Sequence, residues 1–529
     1  MKIAVQVRPS SGRLMKWKGK VASISPTGGW LLSSCSLGAL ALATGLAVPT
    51  LFVSPGAGFA GTCVETSPGV FSCSGAASPT GADAEIVIDT GGQVSVTTDP
   101  GFGVDTTNGT ETGGHSAFTI NGLNIQGTGG VTFTDNNAST ITGQDGGLHV
   151  RNSGGAVAIV TTGAITGLAG NGITSSNTDL GSGTTIDVRG DVTGRLDPGG
   201  AGIQSSNATG PMTITTAAGT TISSGTNGIR ATNGSGSGVN DLTITTAGQV
   251  VGTSNYAIHA TQSDDGNVVI QTSDTVLGGS IGIRAENQNG GDIVITSTGS
   301  VEGTNHTGIW AHNQSSTTGN VSVTAADVTG NTTGILADNN GTGSTSITAT
   351  GTVLADDVGI RAENTSTATG AMEIVTTGTG GVSGLEDGIW ADNRGSGALN
   401  ITVGNTVVGV DGVGIRTFTN GAGAANITLN SGAAVNSVSG LAISNDSGDS
   451  TTTVNTGASV AGDISLGDGS DNLTFAGGSF DTDAEFNGGD DIDATDGSVD
   501  VLTFVGSSGS LGGGISTTGN RSISVQGQP

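Results

Sequence analysis

Lysine disappears from this 529-residue chain after Lys20, proline is absent between Pro211 and Pro529, and tyrosine occurs once, at Tyr256. Each gap excludes something. No stretch spaces apolar residues at helical intervals, and without lysine an α-solenoid lacks a common helix former as well as its buried stripe. The missing proline leaves nearly every backbone N–H free to pair in a sheet. Positive charge is scarce too. Beyond residue 60 there are nine basic residues, all arginine, against 43 acidic ones, and that balance of −34 repels nucleic acid and anionic lipid. The five histidines are scattered, and Cys63 and Cys73 have neither CxxC spacing nor a nearby histidine, so no metal or other cofactor is expected.

Glycine is abundant, yet Gly and Pro together make up 107 of 529 residues, about a fifth, short of the roughly 25–30% of aperiodic low-complexity chains. A repeat organises them. Twelve times between Gly147 and Asn445 the chain returns to a phrase read most fully as Gly-Ile-x-Ala-x-Asn. Its Ile or Leu falls at 148, 173, 203, 229, 258, 283, 309, 335, 360, 389, 415 and 441, in steps of 25 to 30 residues. A unit that short cannot fold alone and must stack on its neighbours. Within the phrase, as in Ile283-Arg284-Ala285-Glu286, apolar and polar residues alternate with the period of a strand, and two further alternating runs follow before the next copy. Three strands and three bends per repeat predict an all-β fold, a right-handed parallel β-helix of about 26 residues per coil. Sixteen such coils, from Glu85 to about Asp500, would span roughly 75 Å at strand spacing. The Asn that ends the phrase is expected to take the left-handed backbone of a sharp corner and to hydrogen-bond from coil to coil.

Residues 1–60 carry six Lys or Arg and no acid, an apolar stretch from Leu37 to Val53, and Gly58-Phe59-Ala60, the layout of a secretory signal cleaved after Ala60. A membrane-spanning anchor competes with this reading but is interrupted by Gly38, Gly45 and Pro49; a lipoprotein cleaved before Cys35 is a further alternative. In an exported chain Cys63 and Cys73, ten residues apart across Pro68-Gly69, read as a disulfide, the alternative being two free thiols. The expected organisation is a signal peptide (1–60), a disulfide cap region (61–84), the β-helix (85–460) and acidic, Gly-rich terminal coils and tail (461–529).

Taken together, the basic leader, the Cys63-Val64 to Ser72-Cys73 hairpin, the Asn-cornered coils and the Gly467-Asp468-Gly469-Ser470-Asp471-Asn472-Leu473 segment resemble the passenger region of a bacterial autotransporter. The resemblance covers nearly the whole chain. It implies a right-handed parallel β-helix secreted by the type V route to the cell surface or medium, with an outer-membrane β-barrel translocator in cis or in trans. Nothing after Phe504 offers the alternating strands of about ten residues that a barrel needs.

Chemistry has few places to sit. The position after each Ile forms an outward column from His149 to Ala442 that gathers Arg284, Trp310, Arg361, Trp390 and Arg416. Arg284 is expected to stack on Trp310, and Arg361 and Arg416 to flank Trp390, at about 0.5–1 kcal/mol per exposed contact. Such a strip either stiffens the stack or grips a host or cell-surface glycan or protein, or a second copy of the chain. Two residues on runs a second outward column with Glu286, His312, Asp338, Glu363 and Asp392. Neighbouring coils would bring Asp338 and Glu363 to roughly 5 Å and Asp338 and Asp392 to roughly 10 Å, near glycosidase separations, which gives the alternative of a polysaccharide-active hydrolase or lyase. An open face without burial argues against a catalytic acid, so the expectation is a non-enzymatic adhesin or structural rod. Asp446-Ser447-Gly448 resembles part of a serine-protease nucleophile motif but sits at a corner with no partner domain, and Arg189-Gly190-Asp191 reads as an ordinary turn. The eleven acidic residues of 463–500 include one imperfect copy of a calcium-binding nonapeptide and otherwise read as a charged end that discourages strand pairing between molecules.

Overall fold

The computed structural model describes residues 61–526 apart from 110–119, 180, 197–198, 235–238, 316, 421–422, 482–483, 489–498 and 507–520. The leader assigned to 1–60 lies outside the described residues, as do Asp483, Asp490, Asp491, Asp493 and Asp496 of the acidic segment.

Alternation of apolar and polar side chains produces strands with one inward and one outward face, and these stack as a parallel β-solenoid of the right-handed type, with about 16 turns and no helix among the described residues. One coil contains three strands, for instance Val321–Ala325, Val328–Gly330 and Thr333–Asn339. Each pairs in parallel with its counterpart one coil away, which builds three ladders along the stack. The Gly-Ile-x-Ala-x-Asn phrase is the third ladder. Its Ile283, Ile309, Ile335, Ile360, Ile389 and Ile415 lie directly over one another. All six are fully buried, each contributing about 1.5–3 kcal/mol.

Two glycine rows let the interior close. A Cβ on Gly282, just before Ile283, would lie 2.5 Å from Val301 Cγ1 and 2.6 Å from the Gly308 carbonyl oxygen. A Cβ on Gly303, at the end of the second ladder, would run into the Thr307 carbonyl. Neither position has room for alanine.

The Asn row faces inward, and its members from Asn152 to Asn393 are buried. Among the described residues three steps carry an amide bond from coil to coil, Asn152 to Asn177, Asn207 to Asn233 and Asn364 to Asn393, at 3.1–3.2 Å. More often the Nδ2 donates to a carbonyl of its own corner, as Asn287 does to Gly291 (2.8 Å) and Asn313 to Gly319 (3.0 Å). The expected left-handed backbone at these asparagines is not found. Among the described residues Ala138 is the one non-glycine with positive φ, and sharp corners fall on glycines such as Gly432 (φ 90°) and Gly457 (φ 81°). Asparagine occupies its row because its amide can satisfy buried carbonyls.

A second polar series precedes the first ladder. Asp241, Asn267, Asp292 and Asn320 each accept, through Oδ1, the backbone N–H of the next member one coil on, ending at Ser344, at 2.7–2.9 Å.

At the N-terminal end the antiparallel hairpin Thr62–Ser67 and Val70–Ser74 is closed by the Cys63–Cys73 disulfide, and its second strand pairs with Val94–Thr98 of the first ladder. At the C-terminal end the interior turns aromatic. Phe475 packs against Phe480, Phe486 and Phe504 with ring centroids 4.9–5.5 Å apart.

The twelfth copy departs from expectation. Ile443, not Leu441, sits over Ile415, because the continuous strand Ala434–Asn445 slips in register around Leu441. Ala442, expected outward, is fully buried; Ser444 stands over Arg416, and Asn445 over Thr417, outside the Asn row. An earlier copy escaped notice: Leu123–Gly127 pairs residue for residue with Leu148–Asn152.

Candidate functional site

The third ladder carries its outward residues in two columns held at strand spacing by the register. In the first, His259, Arg284, Trp310, Leu336, Arg361, Trp390 and Arg416 occupy successive coils. The Arg284 guanidinium lies 4.5 Å from the centroid of Trp310, and those of Arg361 and Arg416 lie 4.4 and 5.8 Å from Trp390. Both indoles are half-buried. Trp310 also meets His306 in a stacked arrangement (6.5 Å) and His312 edge-on (6.1 Å).

The second column runs Glu286, His312, Asp338, Glu363, Asp392 and Phe418 on successive coils. Its carboxylates are engaged by adjacent arginine and histidine side chains. Glu286 pairs with Arg284 and lies 3.9 Å from His259, while Glu363 accepts from Arg361 Nε at 2.6 Å. Asp392 accepts from Arg394, and Asp338 Oδ2 lies 2.8 Å from His312 Nδ1. The hydrogen bond from His259, with help from the charge of Arg284 and against the cost of burial, holds the Glu286 carboxyl down to about 2. Asp392 is buried, not open as its outward position implied, since Arg394 folds over it.

Four contributors to this surface were not singled out from the sequence. Tyr256 accepts a hydrogen bond from Arg284 (2.7 Å) and lies under the same guanidinium (5.4 Å). Asp387, deeply buried in a corner, pairs with Arg416 at 3.3 Å. Arg394 lies 5.8 Å from the centroid of Phe418. Tyr256 and Asp387 each stand two residues before their coil's Ile, a place that other coils fill with Ile281, Thr307, Thr333, Val358 or Val413, so no repeated residue type marks it, whereas Phe418 is legible at the fifth position of the phrase.

Beside His312 lies an open groove of about 510 Å³ bounded by Gln314, Ser315, Asn340, Thr365 and Thr367. Among the described residues no group of three or more His, Cys, Asp or Glu is placed to hold a metal ion. Asp471, from the calcium-like segment, is buried and accepts from the N–H and hydroxyl of Ser450, both at 2.7 Å. The remaining sequence motifs are built into corners. Ser447 donates its hydroxyl to the Thr419 carbonyl (2.8 Å), Arg189 pairs with Asp187 (2.6 Å), and Asp191 accepts from the Thr221 N–H (2.8 Å).

A search of family models, of curated proteins and of solved structures found no match to the chain.

Proposed function

We propose that this protein is an exported, non-enzymatic β-helix of the autotransporter-passenger kind, a surface adhesin or structural rod in attachment or aggregation, with the Arg/Trp strip of the third ladder as its contact face. The observation that carries the reading is the unbroken column from His259 to Arg416, which concentrates both tryptophans beyond residue 60 and three of the nine arginines there on one face of an otherwise acidic chain. Aromatic and arginine side chains are the groups most often found where protein surfaces grip a partner. The Cys63–Cys73 disulfide fits an oxidising compartment.

The test is a double variant, Trp310→Ala with Trp390→Ala, displayed on cells or presented as purified protein. Attachment to host cells, glycan arrays or sister cells should fall by at least tenfold, with far-UV circular dichroism unchanged. Undiminished attachment would refute the strip.

The rival, a polysaccharide-active enzyme using Asp338, Glu363 and Asp392, draws on their consecutive register and on the groove beside His312. Release of reducing ends or unsaturated products from acidic or neutral polysaccharides, abolished by Glu363→Gln, would establish it and displace the adhesin reading.

A further inference from the structure

The second outward column extends toward the N-terminus as Asp89, Gln126, Arg151 and Ser176 on successive coils. Here it borders a groove of about 270 Å³, whose far wall is the corner formed by Gly127, Thr128, Asn152, Ser153 and Thr178. That volume suits a single hexose-sized ring, just below the ~300–1,000 Å³ typical of drug-sized pockets.

The groove differs from the strip nearer the C-terminus in how its cation is held. Arg284, Arg361, Arg394 and Arg416 are each neutralised by a carboxylate of their own surface. Arg151 has no carboxylate partner among the described residues. Its Nε donates instead to Nε2 of His149 at 2.9 Å, which fixes the guanidinium while leaving its outer N–H groups unspent. Burial, reinforced by the charge of Arg151, pushes the His149 imidazole down to about 4, so it stays a neutral acceptor across ordinary pH.

Around this cation stand exposed or half-exposed polar groups with no hydrogen-bond partner among the described residues: the hydroxyls of Ser153 and Ser176 and the carboxylate of Asp89. Asp89 stands two coils from Arg151, roughly 10 Å at strand spacing, too far for the two to neutralise one another. Asn152 is already committed, donating to Gly155 and Asn177, and so acts as a fixed wall.

The geometry points to a binding site for one carboxylated sugar unit, a uronate, with its carboxylate on the outer N–H groups of Arg151 and its ring hydroxyls shared among Ser153, Ser176, Gln126 and Asp89. A planar guanidinium fork matches a carboxylate through two parallel bonds, and a lysine ammonium does not. Asp89 accepts from hydroxyls and repels a second negative group, which selects a ring with a single charge at one end. The remaining surface is acidic enough to oppose a long polyanion, so the ligand is a short or sparsely charged glycan.

This site does not depend on the Arg/Trp strip, and its test keeps the two apart. The full mature chain is titrated with a galacturonate trisaccharide, a neutral galactose trisaccharide and a sulfated galactose trisaccharide, by calorimetry and saturation-transfer NMR. Binding of the galacturonate ligand is expected, with the neutral ligand at least tenfold weaker. Arg151→Gln should lose at least tenfold in affinity and Arg151→Lys less. Ser153→Tyr, which fills the groove while leaving the cation, should abolish binding, and Trp310→Ala with Trp390→Ala should leave it unchanged. Matched circular dichroism and melting curves check that each variant folds. No binding of the galacturonate ligand at millimolar concentration, equal binding by Arg151→Gln, or recognition of the sulfated ligand alone would overturn the assignment.

Discussion

Replacing Ile309 by alanine tests the stacking logic at its centre. Ile309 is fully buried between Ile283 and Ile335 in the third ladder. The substitution removes three side-chain carbons, worth roughly 2–2.5 kcal/mol at about 0.8 kcal/mol each. The aliphatic rows on either side are tied to the sheets and relax little, and a cavity adds to the cost, so about 3–4 kcal/mol is expected. In a solenoid each coil touches only its neighbours, so this loss should stay local. Hydrogen exchange followed by mass spectrometry reads it directly. Amides of Ile281–Asn287, Thr307–Asn313 and Thr333–Asn339 should exchange about two to three decades faster, at 1.4 kcal/mol per decade, while Ala201–Asn207 keeps its protection. Trp310→Ala, one residue on and facing outward, should cost only about 1 kcal/mol from its lost guanidinium contact and partial burial. Equal effects of the two substitutions, or a uniform loss of protection along the chain, would refute the separation of inner and outer rows.

Two further outcomes follow from buried polar groups. Burial, opposed by the hydrogen bonds from Ser450 and reinforced by Asp500 and Asp449, pushes the Asp471 carboxyl up from 3.8 to about 7. A folded-state value raised above the unfolded one favours the protonated native form, so the stabilisation is complete below about pH 4 and fades as pH rises toward 7, by about 4 kcal/mol at most. Protection of Ser450–Asn455 and Asn472–Ala476 should therefore be greater at pH 4.5 than at pH 8, and Asp471→Asn should flatten the difference; a flat profile in the unaltered chain would refute the assignment. Asn313→Ala leaves the buried Gly319 carbonyl without the amide that now serves it and should cost about 1–3 kcal/mol, read as faster exchange across Thr307–Asn313 and Val321–Ala325.

The period, the inward Ile and Ala rows and the contact of Arg284 with Trp310 were legible because strand register and repeat register coincide in parallel stacking: residues at equal places in the phrase become neighbours. The slip at Leu441 was not legible for a definite reason. Leu441 and Ile443 have the same parity, and period-two alternation cannot tell a strand from one shifted by two residues; Gly440, at φ 111°, is where the backbone departs from the regular ladder. Corners were read least well. The left-handed positions went to glycine instead of asparagine, and Asp387 and Tyr256 reach the strip from a place two residues before the Ile where other coils carry aliphatic residues or threonine, so alternation gives no sign of them. The Arg151 groove escaped because a lone arginine beside a histidine carries no periodic signal; only the geometry reveals that its charge is unspent.

The spread of 25 to 30 residues between successive Ile positions has a consequence for how such a chain can change. Extra residues between repeats are absorbed at the bends, while Ile203, Ile229, Ile258 and Ile283 still meet face to face. Loops at the bends can thus lengthen, shorten or be exchanged without moving any neighbour out of line. The exterior is free to diversify its contacts while the aliphatic spine stays as it is.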